Sequence, residues 1–461
     1  MNPNSKQPLN EHLPSKPVPN EGRSNGCLVV QERPIAGLRP FAGNARTHSK
    51  KQIRQIAQSI KSFGFTNPVL IDDDGVILCG HGRVEAAKLL GMVAVPAIAL
   101  RNMSETDKRA YIIADNRLAE LAGWDADLLK LEIGFLIESE LDFAVETIGF
   151  DTADIDLLFA NDDAPAEAEE DIELPDKTIS AVTCSGDQWI IGEHRLFCGD
   201  ARDPASYTAL LGTERAEMVF TDAPYNVRVA DISGLGKTKH REFAMASGEM
   251  SRSAFTAFLR EAMTCMIEVS SPGAIHFLCM DWRGSHALLD AADGIYAEQK
   301  NLCVWNKTNA GMGTFYRSRH ELIYVMKVGN VPHINNFGLG SKGRYRSNVW
   351  TYAGVNTFRK GRAKDLEAHP TVKPTKMVID AILDCSHRGG IILDAFTGSG
   401  TTLLAAARTG RHGRGIEIDP HYCDLIIRRL EAVTGATAAL ADGTSFDQLR
   451  ARRLSARKDA A

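Results

Sequence analysis

LDAFTGSGTTLLAAARTG, residues 393–410, reads as the end of an apolar strand, Ile391 to Leu393, that runs out into Asp394. A turn, Gly398-Ser399-Gly400, then opens a helix at Thr401-Thr402. Such a turn lets a ligand approach the backbone closely and presents helix N-terminal amides to an anion. No lysine follows the second glycine, and the spacing is not G-x-G-x-x-G, so a triphosphate or pyrophosphate loop is not the reading. About 20 residues on, where such sites keep an acidic residue for ribose hydroxyls, the strand RGIEID carries Glu417. The pair reads as a site for a nucleoside-bearing cofactor, with a carboxylate or similar anion at the turn.

Outward from this segment, strands and helices alternate over about 180–437. Strand patterns fall at 217–221, 273–279, 301–305, 321–326, 390–394 and 414–418, with helical stretches such as 252–269 and 400–409 between them. That alternation predicts an α/β, doubly wound sheet. One strand leads into VFTDAPYNV, residues 219–227. Pro224 fixes the local backbone and pushes the residue before it to extended geometry. This aims the Ala223 carbonyl and the Asp222 carboxylate at one point, and Tyr225 adds an aromatic face. Two acceptors beside an aromatic plate suit the exocyclic amine of a base; a rigid turn after a strand is the plainer alternative.

The chain has 461 residues, 44% hydrophobic and 24% charged, which predicts two or three globular domains. No apolar run reaches the length of a membrane span, so no membrane partner is expected. The first 27 residues, rich in Pro, Asn and Ser, read as a disordered leader rather than a signal peptide. Nine cysteines without a C-x-x-C pair point to a reducing cytoplasm and no structural metal. Residues 50–63 place Ile53, Ile56, Ile60 and Phe63 at helical spacing, and Gly64 stops the helix. A hairpin, Val69 to Ile71 and Val76 to Leu78, and the turn-to-helix segment 80–91 follow, with a strand over Val93 to Leu100. Residues 105–160 read as mostly helical, with Trp124 and Phe135 in the core. Residues 162–176 hold eight acidic and no basic residues, a solvated linker. The C-terminal Arg450, Arg452, Arg453, Arg457 and Lys458 read as a frayed basic end.

DAPY at 222–225 resembles the D-P-P-Y motif of amino-group DNA methyltransferases, and DAFTGSGTT at 394–402 resembles their S-adenosylmethionine motif. AHPTVKP (368–374) and QWIIGEHRLFCGDARD (188–203) are similar to two further segments of that family. The order, catalytic motif first, is similar to the beta group. Ala223 and Ala395 stand where the family usually has proline. The resemblance implies catalytic roles for Asp222, Ala223, Pro224 and Tyr225, the last stacking on a base flipped from the duplex. It implies that Asp394, Phe396, Gly398, Gly400 and Thr401 line S-adenosylmethionine, that Glu417 binds its ribose, and that Asp200, Thr371 and Lys373 add contacts. No metal is implied. Between the motifs, residues 300–364 hold twelve Lys or Arg and one acidic residue, Glu321, with Trp305, Phe315, Tyr316, Tyr345 and Trp350 interleaved. That is a nucleic-acid footprint, and in the beta group this interval is the target-recognition region. Arg344, Arg346, Arg359 and Arg362 are the candidate contacts to DNA.

The N-terminal part resembles the ParB-type fold through ARTHS (45–49), the helix–hairpin pattern and GHGRVEAAKLLG (80–91). Many ParB relatives carry G-E-R-R where this chain has Gly80-His81-Gly82-Arg83. Arg83 and the turn amides are read as a phosphate holder, and His81 as a turn histidine with a structural bond. The expected organisation is a leader (1–27), a smaller α+β ParB-like domain (28–118), a helical extension (119–160), an acidic linker (161–179), a Rossmann-like methyltransferase domain (180–437) and a basic tail (438–461). The expected activity is methylation of adenine N6 in double-stranded DNA, of the restriction-modification kind. N4-cytosine methylation and a non-catalytic ParB-like regulator are the alternatives. A nucleotide at the N-terminal domain and a homodimer are compatible with this reading.

Overall fold

The computed structural model describes residues 28–139, 141–160, 180–227, 246, 248–307, 316–338, 344–353 and 373–458. The expected leader and acidic linker, Phe315, Arg359, Arg362 and Thr371 lie outside these described residues. Contacts divide the chain into two compact units, Met1–Asp151 and Thr152–Ala461.

In the first unit, the Ser49 hydroxyl accepts the Gln52 amide and starts helix α1 (Lys50–Phe63). Gly64, at φ 80°, ends it as the sequence predicts. Five strands form a sheet: β1 (Gln31–Pro34), β2 (Arg39–Pro40), β3 (Val69–Ile71), β4 (Val76–Cys79) and β5 (Ala94–Ala99), in the order β1-β5-β3-β4-β2. The Asp72 carboxylate accepts the Asp74 and Val76 amides and closes the β3–β4 turn. Val69, Ile71, Ile77, Val84, Ala87, Val95 and Ala97 make the core beneath α2 (His81–Leu89). Gly82 lets α1 and α2 meet: a Cβ there would lie 3.1 Å from the His48 ring and from Ile56.

Helices α3 (Glu105–Leu121) and α4 (Ala126–Glu138) follow. Trp124 and Phe135, expected in the core, are 73% and 69% exposed. Ile133 takes the buried position on α4 instead, and Trp124 meets only the edge of Phe150, at 5.4 Å between ring centres.

Helix α5 (Thr152–Ala160), at the end of the expected helical extension, belongs to the second unit. Its Asp156 is 4% exposed and accepts two bonds from Arg411, at 2.9 and 2.6 Å, and one from Arg388 at 2.9 Å. The remaining strands are β6 (Gln188–Ile191), β7 (His194–Cys198), β8 (Ala216–Thr221), β9 (Ser270–Met280), β10 (Glu298–Lys307), β11 (His320–Lys327), β12 (Val349–Tyr352), β13 (Ile391–Asp394), β14 (His412–Glu417) and β15 (Ala439–Leu440). They form one sheet in the order β12-β10-β11-β9-β8-β13-β14-β7-β6-β15. The middle strands, β9-β8-β13-β14-β7, run parallel. Residues on β8 are buried on both faces, as a covered parallel sheet requires. From β8 the chain crosses to β9 on one side, and from β13 to β14 on the other. The strand order therefore reverses between β8 and β13, the position where open α/β sheets hold ligands beyond their carboxyl ends.

The basic segment up to Lys458 is helical rather than frayed. Residues Phe446–Lys458 form a helix in which Phe446 and Leu449 are buried, and Arg453 donates to the Val182 carbonyl at 2.7 Å and to Asp187 at 2.5 Å. Among the described residues, no helix is long and apolar enough to cross a membrane.

Candidate active site

Four neighbouring parallel strands end at the same edge of the sheet, and each end carries a carboxylate. Asp222 follows β8, Asp394 ends β13, Glu417 ends β14 and Asp200 follows β7. At about 4.8 Å between strands, the row spans about 15 Å, the scale of a nucleoside with a short side chain. Hydrogen bonds tie the row together: Thr221 Oγ1 donates to Asp394 at 2.8 Å, the Gly398 amide to Glu417 at 2.8 Å, and the Gly199 amide to the Glu417 carbonyl at 3.0 Å.

At the glycine turn, Gly400 has φ 88° and caps the helix Thr401–Arg408. A side chain there would be strained, and its Cβ would lie 3.1 Å from Ile426. Glu417 accepts the Gly398 and Asp419 amides, yet burial outweighs them and pushes its pKa up to about 7. Burial likewise raises Asp394 to about 6, against hydrogen bonds from Thr402, Thr221 and the Phe396 amide. Phe396 packs against Phe258, with ring centres 5.9 Å apart. Asp200 is held by Arg202 in a two-bond pair, at 3.2 and 2.7 Å.

At the other end of the row, Tyr225 Oη donates to Asp222 Oδ1 at 2.5 Å, and Lys373 Nζ donates to Asp222 Oδ2 at 2.5 Å. Lys373 also reaches Glu321 at 3.0 Å and Tyr225 Oη at 3.1 Å. Its three N–H groups are therefore all engaged. The sequence reading put Lys373 with the cofactor contacts; the structure puts it on the Asp222 carboxylate. Glu321, Lys307 and Asn226 were missed. For Glu321 a signal existed, since it is the lone acid in a basic interval. Asn226 has φ 54°; its side chain accepts the Gly248 and Met250 amides, at 3.0 and 3.2 Å, and donates to the Met250 carbonyl at 2.8 Å.

The family model described as DNA methylase matches residues 216–428, which contain Asp222, Lys373, Asp394 and Glu417. Residues 216–428 thus match the N6/N4 DNA methylase family. Two further family models match upstream of the methylase region: the ParB N-terminal domain over residues 22–117 and the ParB-methyltransferase HTH domain over 127–184. The ParB-like nuclease domain-containing protein YnaK of Escherichia coli (strain K12) is 51% identical over 82 residues, 18% of this chain and 94% of that protein. Type II methyltransferase M2.DpnII of Streptococcus pneumoniae is 26% identical over 242 residues, 50% of this chain and 88% of that protein. A crystal structure of an M1.HpyAVI–SAM complex superposes with a TM-score of 0.38 at 18% identity, covering 51% of this chain and 98% of that one.

Several expected contacts of the methylase are otherwise occupied. Arg344 and Arg346, read as contacts to DNA, are bound to Asp384 at 2.9 and 2.8 Å. Trp305 and Trp350 are 2% and 5% exposed and belong to the core, whereas Tyr316 and Tyr345 are exposed. In the ParB-like unit, Arg83 Nη1 donates to the carbonyls of Asn67 and Pro68, at 2.5 and 2.8 Å, and so closes its own turn. His81 Nε2 accepts the Phe41 amide at 3.3 Å, a structural bond as expected, and burial lowers its pKa.

Proposed function

We propose that this methylase transfers a methyl group from S-adenosylmethionine to the exocyclic N6 of an adenine flipped out of double-stranded DNA. The observation that carries the reading is the row of carboxylates ending in the Asp222–Ala223–Pro224–Tyr225 turn. Glu417 would accept the ribose hydroxyls, Asp394, Phe396, Gly398, Gly400 and Thr401 would line the cofactor, and Asp200 would add a further contact. The bound cofactor supplies an electrophilic methyl group on sulfonium. Asp222 and the Ala223 carbonyl accept the N–H bonds of the target amine, which draws the nitrogen lone pair out of the ring. Tyr225 stacks on the base, its ring plane set by the hydroxyl bond to Asp222. The nitrogen would gain the methyl group as the methyl–sulfur bond breaks with its electron pair left on sulfur, and the proton the nitrogen sheds would pass to Asp222. The chain's contribution is position and electrostatics.

Asp at position 222 favours adenine over cytosine. The test is incubation of the full chain with S-adenosylmethionine and unmodified duplex DNA, then digestion to nucleosides and mass spectrometry. N6-methyladenine is expected; N4-methylcytosine as the sole product overturns the adenine assignment, and no methylated base overturns the activity.

The ribose role has its own pH signature. Hydroxyls donate to the ionised Glu417, and burial places its pKa at about 7. The ionised form is the one that binds, so cofactor affinity falls as pH drops below about 7, by up to about tenfold per pH unit. Above that pH it is level. Calorimetric titrations from about pH 5.5 to about pH 8.5, roughly 1.5 units on either side of 7, show this slope, and Glu417→Gln removes it. A flat wild-type profile excludes Glu417 from the ribose.

A further inference from the structure

Behind Asp222 lies a row of alternating charge that starts at the half-buried Lys307 and runs inward. Lys307 Nζ donates to Glu321 Oε1 at 2.5 Å, Glu321 Oε2 receives Lys373 at 3.0 Å, and Lys373 donates to Asp222 at 2.5 Å. The Glu321 and Lys373 side chains are 11% and 6% exposed. Lys307 rests over the Trp305 ring, 4.6 Å from its centre, and Lys373 lies 5.5 Å from the centre of the Tyr225 ring. Burying the charges of Glu321, Lys373 and Asp222 does not favour folding over a packed apolar core of the same volume, because desolvation offsets the attraction. The array instead fixes geometry. One Asp222 oxygen is held by Lys373 and the other by the Tyr225 hydroxyl, so the carboxylate plane cannot rotate, and each oxygen keeps a lone pair for an incoming N–H.

We propose that Glu321, anchored by Lys307, aims Lys373 at Asp222, and that Lys373 locks this carboxylate in the orientation that receives the target amine. Lys307, Glu321 and Lys373 are thus positioning residues of the transfer reaction. The proposal rests on the reading of Asp222 as the amine acceptor.

The charges around Asp222 give the array a readout that packing alone does not. Facing the carboxylate are Lys373, Tyr225 and Glu321, with the Cys279 thiol on β9 and Asp394 at the end of β13. Burial raises the Asp222 pKa; Lys373 opposes this and Glu321 adds to it. Burial would raise Glu321 as well, but Lys373 and Lys307 bring it down to about 2, so it is charged at working pH. Asp222 must be ionised to accept an amine N–H. Removing the Lys373 charge therefore moves the acid limb of the kcat profile to higher pH, and removing the Glu321 charge moves it to lower pH.

The experiment measures kcat and KM against pH for the full chain and for Lys373→Met, Lys373→Arg and Glu321→Gln. In parallel, carbon-13 NMR follows the aspartate carboxyls of the same proteins, with Asp222→Asn to assign the signal. Lys373→Met is expected to lower kcat about 100-fold, with KM for DNA and cofactor affinity unchanged and the acid limb about one pH unit higher. Lys373→Arg keeps the charge and restores the limb. Glu321→Gln lowers kcat and shifts the limb the other way. Shifts in the same direction, or an unmoved limb, overturn the proposal, as does weakened cofactor binding in Lys373→Met. If the wild-type chain methylates no base, the function reading fails. The carboxyl titration then still decides the array, since opposite shifts uphold it and equal ones reject it.

Discussion

Asp222→Ala is expected to lower kcat by about 100- to 1000-fold while cofactor affinity stays at the wild-type value. The carboxylate is an acceptor aimed at a nitrogen whose character changes in the transition state, so its loss falls on kcat rather than on binding. It stands at the β8 end of the carboxylate row, whereas Glu417 and Asp200 stand two and three strands away. Removing it leaves Lys373 paired with Glu321 alone, so the buried charge keeps one partner. Asp222→Asn separates shape from charge. The amide keeps one acceptor oxygen but turns an N–H face toward Lys373 or toward the substrate amine, and it is expected to recover only part of the rate. Single-turnover transfer to duplex DNA, with calorimetry for the cofactor, measures both quantities. A variant lacking the carboxylate that retains more than about a tenth of the wild-type rate removes Asp222 from the reaction.

The second large effect is on stability. Asp156→Ala is expected to cost about 3–5 kcal/mol, read from urea unfolding of the full chain. Arg411 is 1% exposed and reaches only carbonyl and hydroxyl oxygens of Ser386 and Thr409 besides Asp156. Without the carboxylate, the guanidinium stays buried with no carboxylate in hydrogen-bond contact among the described residues, and only the more distant Glu217 balances its charge. Arg388 sits nearer the surface and also faces the Phe159 ring at 5.5 Å. It contributes less, so Arg388→Ala is expected to cost less than Asp156→Ala. A loss below about 1 kcal/mol for Asp156→Ala means that Arg411 turns out to water and the pair behaves as a surface contact.

The sequence made the segments with local chemistry readable. The glycine turn, Asp394, Glu417 and the Asp222–Tyr225 turn depend on strand ends and backbone angles that neighbouring residues set. Contacts across the fold were not readable. Lys373 and Asp222 are 151 positions apart and meet only because β8 lies in the middle of the sheet. Arg344 and Arg346 looked free because their partners, Asp380 and Asp384, lie past the basic interval, on the helix Thr375–Cys385. Trp305 and Trp350 are spaced among cations in the sequence, yet the parallel pairing of β10 with β12 sets them side by side in the core. Trp124 and Phe135 failed for the opposite reason: a large apolar side chain in a mostly helical stretch does not show that anything covers it, and Trp124 lies between α3 and α4.

The Asn226 side chain bonds to the backbone on the far side of a 21-residue excursion, at Gly248 and Met250. The chain leaves the catalytic turn and returns to it through one amide group, so the excursion is closed at its base. What happens to its length is then separated from the geometry of Asp222. Asn226 is therefore the residue that sets where the backbone leaves the reaction centre and where it rejoins it, at Gly248 and Met250.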